Sequence, residues 1–147
     1  MLPDFDGVGN LPPGVHDVTW DGLVERFGWP ARRRQLLDGF ATALEVLHEA
    51  GCRRVFVNGS FVTRKDDPGD IDVAWDPDGV DVDRLLELEP VFGEFADQRA
   101  AQKAKFGCEF FPASFQADLV GSTFLEFFQV DKESGDQKGI VALYLRD

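Results

Sequence analysis

The stretch Val55-Phe-Val-Asn-Gly-Ser-Phe-Val-Thr-Arg-Lys-Asp-Asp-Pro-Gly-Asp-Ile-Asp-Val-Ala-Trp75 decides the reading of this chain. It divides into a buried strand, a Gly-Ser turn, a polar loop and a second strand that carries Asp70 and Asp72. Side chains two apart on a strand project from one face, so Asp70 and Asp72 are expected side by side while Ile71 and Val73 enter a core. Two carboxylates held that close repel, and the usual remedies are a shared proton or a bound cation. A Gly-Ser turn can offer backbone N–H groups to an anion. A cation site next to an anion cradle points to metal-assisted chemistry on a phosphorylated ligand.

The rest of the chain sets bounds on that reading. Its 147 residues are expected to form one domain, and an apolar fraction of 44% argues for a folded globular protein. With 15 basic and 27 acidic residues the net charge is −12, which argues against a broad nucleic-acid-binding surface. Eight Asp and no Lys or Arg fall within residues 66–83, around the Asp70/Asp72 pair. A nucleoside triphosphate would be repelled there unless divalent cations came with it. Cys52 and Cys108 lack metal-site spacing and read as buried thiols beside strands. No apolar run approaches the ~18 residues that span a membrane, and no charged, apolar signal segment opens the chain, so the cytoplasm is the default expectation.

Residues 1–18, with Pro3, Gly7, Gly9, Pro12, Pro13 and Gly14, read as an extended arm anchored by Phe5 and Leu11. A short helix is expected over Trp20–Phe27 and a longer one from Pro30 to just before Gly51. The longer helix has Leu36, Leu37, Phe40, Leu44 and Leu47 on one buried stripe. Arg32, Arg33 and Arg34 open it at the end where the helix dipole disfavours cations, and read as a solvated face in preference to a phosphate contact. Strands are expected over Arg53–Val57, Asp70–Trp75, Phe106–Phe111 and Gly139–Leu145, with helices over Val82–Leu88 and Val91–Lys105. Thr123 and Glu126 form a capping-box pattern for a short helix through Phe128. Seven of the 14 Phe residues lie between 106 and 128, a core-like density. The order of elements fits a single α+β domain with a small mixed β-sheet flanked by helices.

Asn58-Gly59-Ser60 followed by Asp70-x-Asp72 on the next strand resembles the signature of the nucleotidyltransferase superfamily that includes DNA polymerase β and the minimal nucleotidyltransferases. The phrases Asn58-Gly-Ser-Phe-Val-Thr63 and Pro68-Gly-Asp-Ile-Asp-Val73 look closer to an uncharacterised bacterial subgroup. That likeness extends to Leu11-Pro-Pro-Gly-Val-His16 and Lys138-Gly-Ile-Val141. The resemblance implies a third acid on a later strand. Glu109, among the apolar residues of Phe106-Gly-Cys-Glu-Phe-Phe-Pro112, is the first choice and Asp118 the second, although Asp is commoner there in the superfamily.

The resemblance further implies Mg²⁺ or Mn²⁺ held by Asp70, Asp72 and Glu109, with one ion against the phosphates and a second, shared with Glu109, against the attacking oxygen. A nucleoside triphosphate such as ATP would give its nucleoside monophosphate to a hydroxyl acceptor and release pyrophosphate. Gly59 and Ser60 would hold the phosphates, with Arg64, Lys65 and Lys138 as candidate phosphate contacts. The acceptor stays open between a protein, a transfer-RNA end and a small molecule. The alternative is a nucleotide-binding module without chemistry, acting with a partner protein in a toxin–antitoxin or phage-defence pair. His16 and His48 are not expected to be catalytic.

Overall fold

The apolar run of Gly139–Tyr144 is flanked by no alternating polar positions, so a strand built from it needs cover on both faces and partners on both edges. It has both. The computed structural model describes residues 2–65, 68–117, 119–131 and 134–145. In chain order the elements are β1 (Gly14–Val18), α1 (Trp20–Phe27), α2 (Ala31–Glu49), β2 (Arg54–Asn58), a 3-10 turn (Gly59–Val62), β3 (Ile71–Trp75), α3 (Val82–Leu88), a second 3-10 turn (Pro90–Gly93), α4 (Ala96–Phe106), β4 (Cys108–Pro112), α5 (Phe124–Phe127) and β5 (Gly139–Tyr144). They make a small α+β domain around one mixed sheet in the order β1-β5-β2-β3-β4. The outer pairs β1/β5 and β3/β4 are parallel, and β5/β2 and β2/β3 are antiparallel.

Alternation divides the strand residues between two faces. Val55, Val57, Ile71, Val73, Cys108, Phe110, Val141 and Leu143 join one core with Leu36, Leu37, Phe40, Leu44 and Leu47 of α2, the stripe expected from helical spacing. The opposite face carries Phe56, Ala74, Ile140 and Ala142, covered by Ala113, Leu125 and Phe128 from the segment between β4 and β5. Phe111 meets Phe124 and Phe128 with ring centroids 4.8 and 5.0 Å apart, which ties that cover to β4. Thr123 and Glu126 form the reciprocal capping box at the start of α5.

Three sequence expectations need correction. The N-terminal arm is not merely extended: Gly14–Val18 is a sheet strand, held in parallel register with β5 from Gly14↔Gly139 to Val18↔Leu143. The helix expected over Val91–Lys105 is interrupted. Residues Pro90–Gly93 form a 3-10 turn, and backbone at Asp97, Gln98 and Arg99 is left-handed before α4 proceeds. Finally, Phe106 ends α4, and Gly107 at φ 71° turns the chain into β4, so that strand begins at Cys108. Among the described residues no helix is long and apolar enough to cross a membrane.

Candidate metal centre

The second face of the sheet, where small and aromatic residues leave one end uncovered, carries a row of polar side chains. Register sets this row. Asn58 on β2 lies opposite Asp72 on β3, and Asp72 lies beside Glu109 on β4. Directly paired residues point to the same face, so the three stand in line across three strands. Asp70, two residues before Asp72 and just ahead of β3, joins them. One carboxylate oxygen each from Asp70, Asp72 and Glu109 lies within 4.8 Å of the other two, and all three residues are half-buried. The first-choice third acid is therefore beside the pair. Asp118, the second choice, lies outside the described residues.

Gly59 explains how β2 comes so close to the acids. Its φ is +76°, and a Cβ added there would overlap Asp72 Oδ2 and lie 3.0 Å from Asp72 Cγ. A residue with a side chain would meet both the left-handed backbone penalty and the carboxylate. Asn58 has no exposed surface, and its Nδ2 donates to Phe56 O at 3.3 Å. Its Oδ1 is buried and finds no hydrogen-bond partner among the described residues. It is an unpaired buried acceptor at the strand position opposite Asp72, and it does not line the cleft beside the acids.

The charges are partly compensated within the chain. Lys103 Nζ on α4 lies 2.7 Å from Glu109 Oε1 and 3.7 Å from Asp70 Oδ2. Burial holds the Asp70 carboxyl above the usual aspartate range; the Glu109 charge adds to this and Lys103 opposes it. The hydrogen bond to Glu109, and then the charges of Glu109, Asp70 and Asp72, raise the Lys103 ammonium above its ordinary value against the opposing effect of burial. Cys108 faces the helical core; burial, and secondarily the charges of Asp70 and Asp72, push its thiol well up, leaving it neutral.

Beside the acids a cleft of about 170 Å³ is lined by Gly59, Ser60, Asp72, Phe127, Phe128, Val130 and Lys138. Of the phosphate candidates, the structure brings Gly59, Ser60 and Lys138 together with Asp72. It does not bring Arg64 there: that guanidinium donates to the carbonyl of Asp6 at 2.9 Å and lies over the Phe5 ring. Lys65 stays on the connecting loop, outside the cleft lining.

A protein-family model matches residues 3–144. The chain belongs to DUF6932, a family of unknown function. No curated protein and no solved structure matches it.

Sequence reasoning missed two residues that organise the centre of this family member. Arg33 does not form a solvated face: it is 3% exposed, and its guanidinium donates to the carbonyls of Phe61, Thr63 and Lys65. Arg32 adds a bond to Gly69 O at 2.9 Å. Together they pin the connection between β2 and β3. The signal was present, since cations at a helix N-terminus need a local reason to be there. Lys103 gave no such signal, because lysines in the last turn of a helix are ordinary.

Proposed function

We propose that this chain is a divalent-metal-dependent nucleotidyltransferase of the DNA polymerase β type. The observation that supports it best is the convergence of Asp70, Asp72 and Glu109 within 4.8 Å, beside the Gly59-Ser60 turn. Mg²⁺ or Mn²⁺ fits the donor set: the grouped atoms are carboxylate oxygens, and no thiol or imidazole joins them among the described residues. Asp70, Asp72 and Glu109 would hold it. Such an ion supplies stabilisation of the charge that develops on phosphoryl oxygens.

The chain's own residues do the rest. The Ser60 hydroxyl and the Lys138 ammonium, both on the cleft, bind and orient the triphosphate. Phe127 and Phe128 line the same cleft and give it an apolar wall against which a base can pack. The acceptor oxygen bonds to the α-phosphorus as the bond to the bridging oxygen breaks. Pyrophosphate leaves with that electron pair, and a carboxylate of the trio takes the acceptor's proton. Acceptor classes are a protein side chain, a transfer-RNA end and a small molecule.

A nucleotide-binding module without turnover, working with a partner protein, is the second reading. The observation in its favour is Lys103, whose single ammonium already offsets part of the charge of Glu109 and Asp70. The two readings separate in one assay. Nucleoside triphosphates labelled at the α-phosphorus are incubated with the protein and a cell lysate, and protein, RNA and small-molecule fractions are counted. Label should appear in one fraction only with Mg²⁺ or Mn²⁺, and Asp70→Ala or Asp72→Ala should abolish it. Labelling that persists in the double variant would refute the transferase; metal-dependent nucleotide binding without label would favour the module.

A further inference from the structure

Three consecutive residues at the start of α4 have left-handed backbone: Asp97, Gln98 and Arg99, at φ 51°, 56° and 61°. None is a glycine, and residues with side chains adopt this conformation singly and at a cost. Such a run persists only where its surroundings hold it in place. Here the anchor is Arg99. Its Nε donates to Phe110 O at 3.0 Å, and its guanidinium lies over the Phe111 ring at 4.0 Å and the Phe95 ring at 4.9 Å.

These contacts place the guanidinium on the face of the edge strand that carries the acids. Phe111 and Glu109 are two apart on β4 and share that face, while Phe110 enters the opposite core. The ring under Arg99 is thus the next side chain along from Glu109, roughly 7 Å away on a strand. Burial lowers the pKa of the guanidinium, and the Glu109 charge opposes that shift. Lys103, four residues further on, is already engaged with Glu109 and Asp70. Arg99 is not: neither Nη1 nor Nη2 has a hydrogen-bond or ion-pair partner among the described residues. A fixed planar fork with both tines free matches a carboxylate or a phosphate.

Sheet order decides which reactant meets it. The cleft lined by Gly59, Ser60 and Lys138 lies on the β2 side of Asp72, whereas Glu109 and Arg99 lie on the β4 side. In an in-line displacement the attacking oxygen enters opposite the leaving group. With the triphosphate in the cleft, the acceptor therefore enters from β4, past Arg99. We propose that Arg99 binds an anionic group of the acceptor, which is a small molecule bearing a phosphate or a carboxylate beside its hydroxyl. This rests on the transferase reading above and names its substrate class. A net charge of −12 repels RNA and acidic protein surfaces, and so favours a ligand with a single anionic group.

The test follows the guanidinium nitrogen signals of the full chain by NMR, with Arg99 assigned by its loss in Arg99→Met. Mg²⁺ and a saturating triphosphate analogue with a methylene between the α- and β-phosphorus are present, and calorimetry measures the analogue's affinity. Methyl phosphate, acetate and a short RNA are titrated separately. One of the two small anions should shift the Arg99 signals to saturation and leave those of Arg64 unmoved, which tells phosphate from carboxylate. Arg99→Met and Arg99→Gln should weaken that anion about tenfold or more, Arg99→Lys less, with the analogue's affinity unchanged. Analogue binding without any saturable shift at Arg99 overturns the inference and leaves the transferase reading intact. Equal anion affinity in wild type and both folded variants does the same. Tighter binding of the RNA than of either small anion, with Arg99 shifting, overturns the small-molecule assignment. Failure of the analogue to bind with metal overturns both readings.

Discussion

Replacing Gly59 with alanine tests the geometry on which the centre depends. Two costs can be separated. Backbone at φ +76° is left-handed, and a Cβ there costs roughly 1–2 kcal/mol. The same Cβ overlaps Asp72 Oδ2, so the carboxylate must leave its rotamer at a further ~1 kcal/mol. The sum is about 2–3 kcal/mol, which for a chain of this size lowers Tm by roughly 6–10 °C. Displacing Asp72 should also weaken Mn²⁺ binding at least tenfold. The assay is urea denaturation of Gly59→Ala alone and in an Asp72→Ala background, where the overlap with the carboxylate is gone and the backbone cost remains with a 3.2 Å contact to the Cβ of residue 72. About 1 kcal/mol of coupling is expected from that cycle. Gly69→Ala, on the same loop with open space around it, serves as the control and should fall within about 0.5 kcal/mol of wild type. An equal cost of Gly59→Ala in both backgrounds would refute the close approach to Asp72. A cost no larger than that of Gly69→Ala would refute the left-handed turn.

Arg33→Met removes a buried guanidinium from the carbonyls of Phe61, Thr63 and Lys65, and should cost about 3 kcal/mol. Hydrogen exchange should show amides 59–65 losing protection first, with Arg33→Lys restoring part of it. Asn58→Leu removes the unpartnered Oδ1 together with the Nδ2 donor to Phe56 O, two opposing effects, so stability should stay within about 1 kcal/mol of wild type by calorimetry. A larger loss would show that the Oδ1 has a partner. Burial pushes the Cys52 thiol from 9.0 to about 11. The folded chain then keeps a proton that the unfolded chain loses, so this group's contribution to stability falls as pH rises from about 9 to 11, by ~3 kcal/mol in total. Cys52→Ala should flatten that part of the stability–pH curve, and an unchanged slope would show that the thiol ionises freely.

The centre was legible in the sequence where its logic is local. Ile71 and Val73 alternate with Asp72, and Cys108 and Phe110 alternate with Glu109, so the facing of both acids follows from strand periodicity. The α2 stripe was readable for the same reason. What was not legible depends on distant partners. Gly14–Val18 contains Gly, His and Asp, poor strand formers that become a strand because β5 has an edge to fill. Here His16 donates from Nε2 to Pro12 O rather than facing the acids. Lys103 reaches the acids only through the turn at Gly107, and Arg64 was drawn off by the carbonyl of Asp6. Arg33 was misjudged because its partners are backbone carbonyls, which composition does not reveal.

The order β1-β5-β2-β3-β4 has a consequence for how the chain matures during synthesis. β5 is the last of the five strands to leave the ribosome, yet it belongs in the interior, between β1 and β2. Roughly 80 residues separate Asn58 from Gly139, on the order of ten seconds of translation. Throughout that interval β2 and β3 can pair, but the outer edge of β2 stays bare and β1 has nothing to join. A nascent chain with an open apolar edge is a substrate for chaperones and a hazard for aggregation. Stalling before Gly139 should therefore be far more damaging than its distance from the acids suggests.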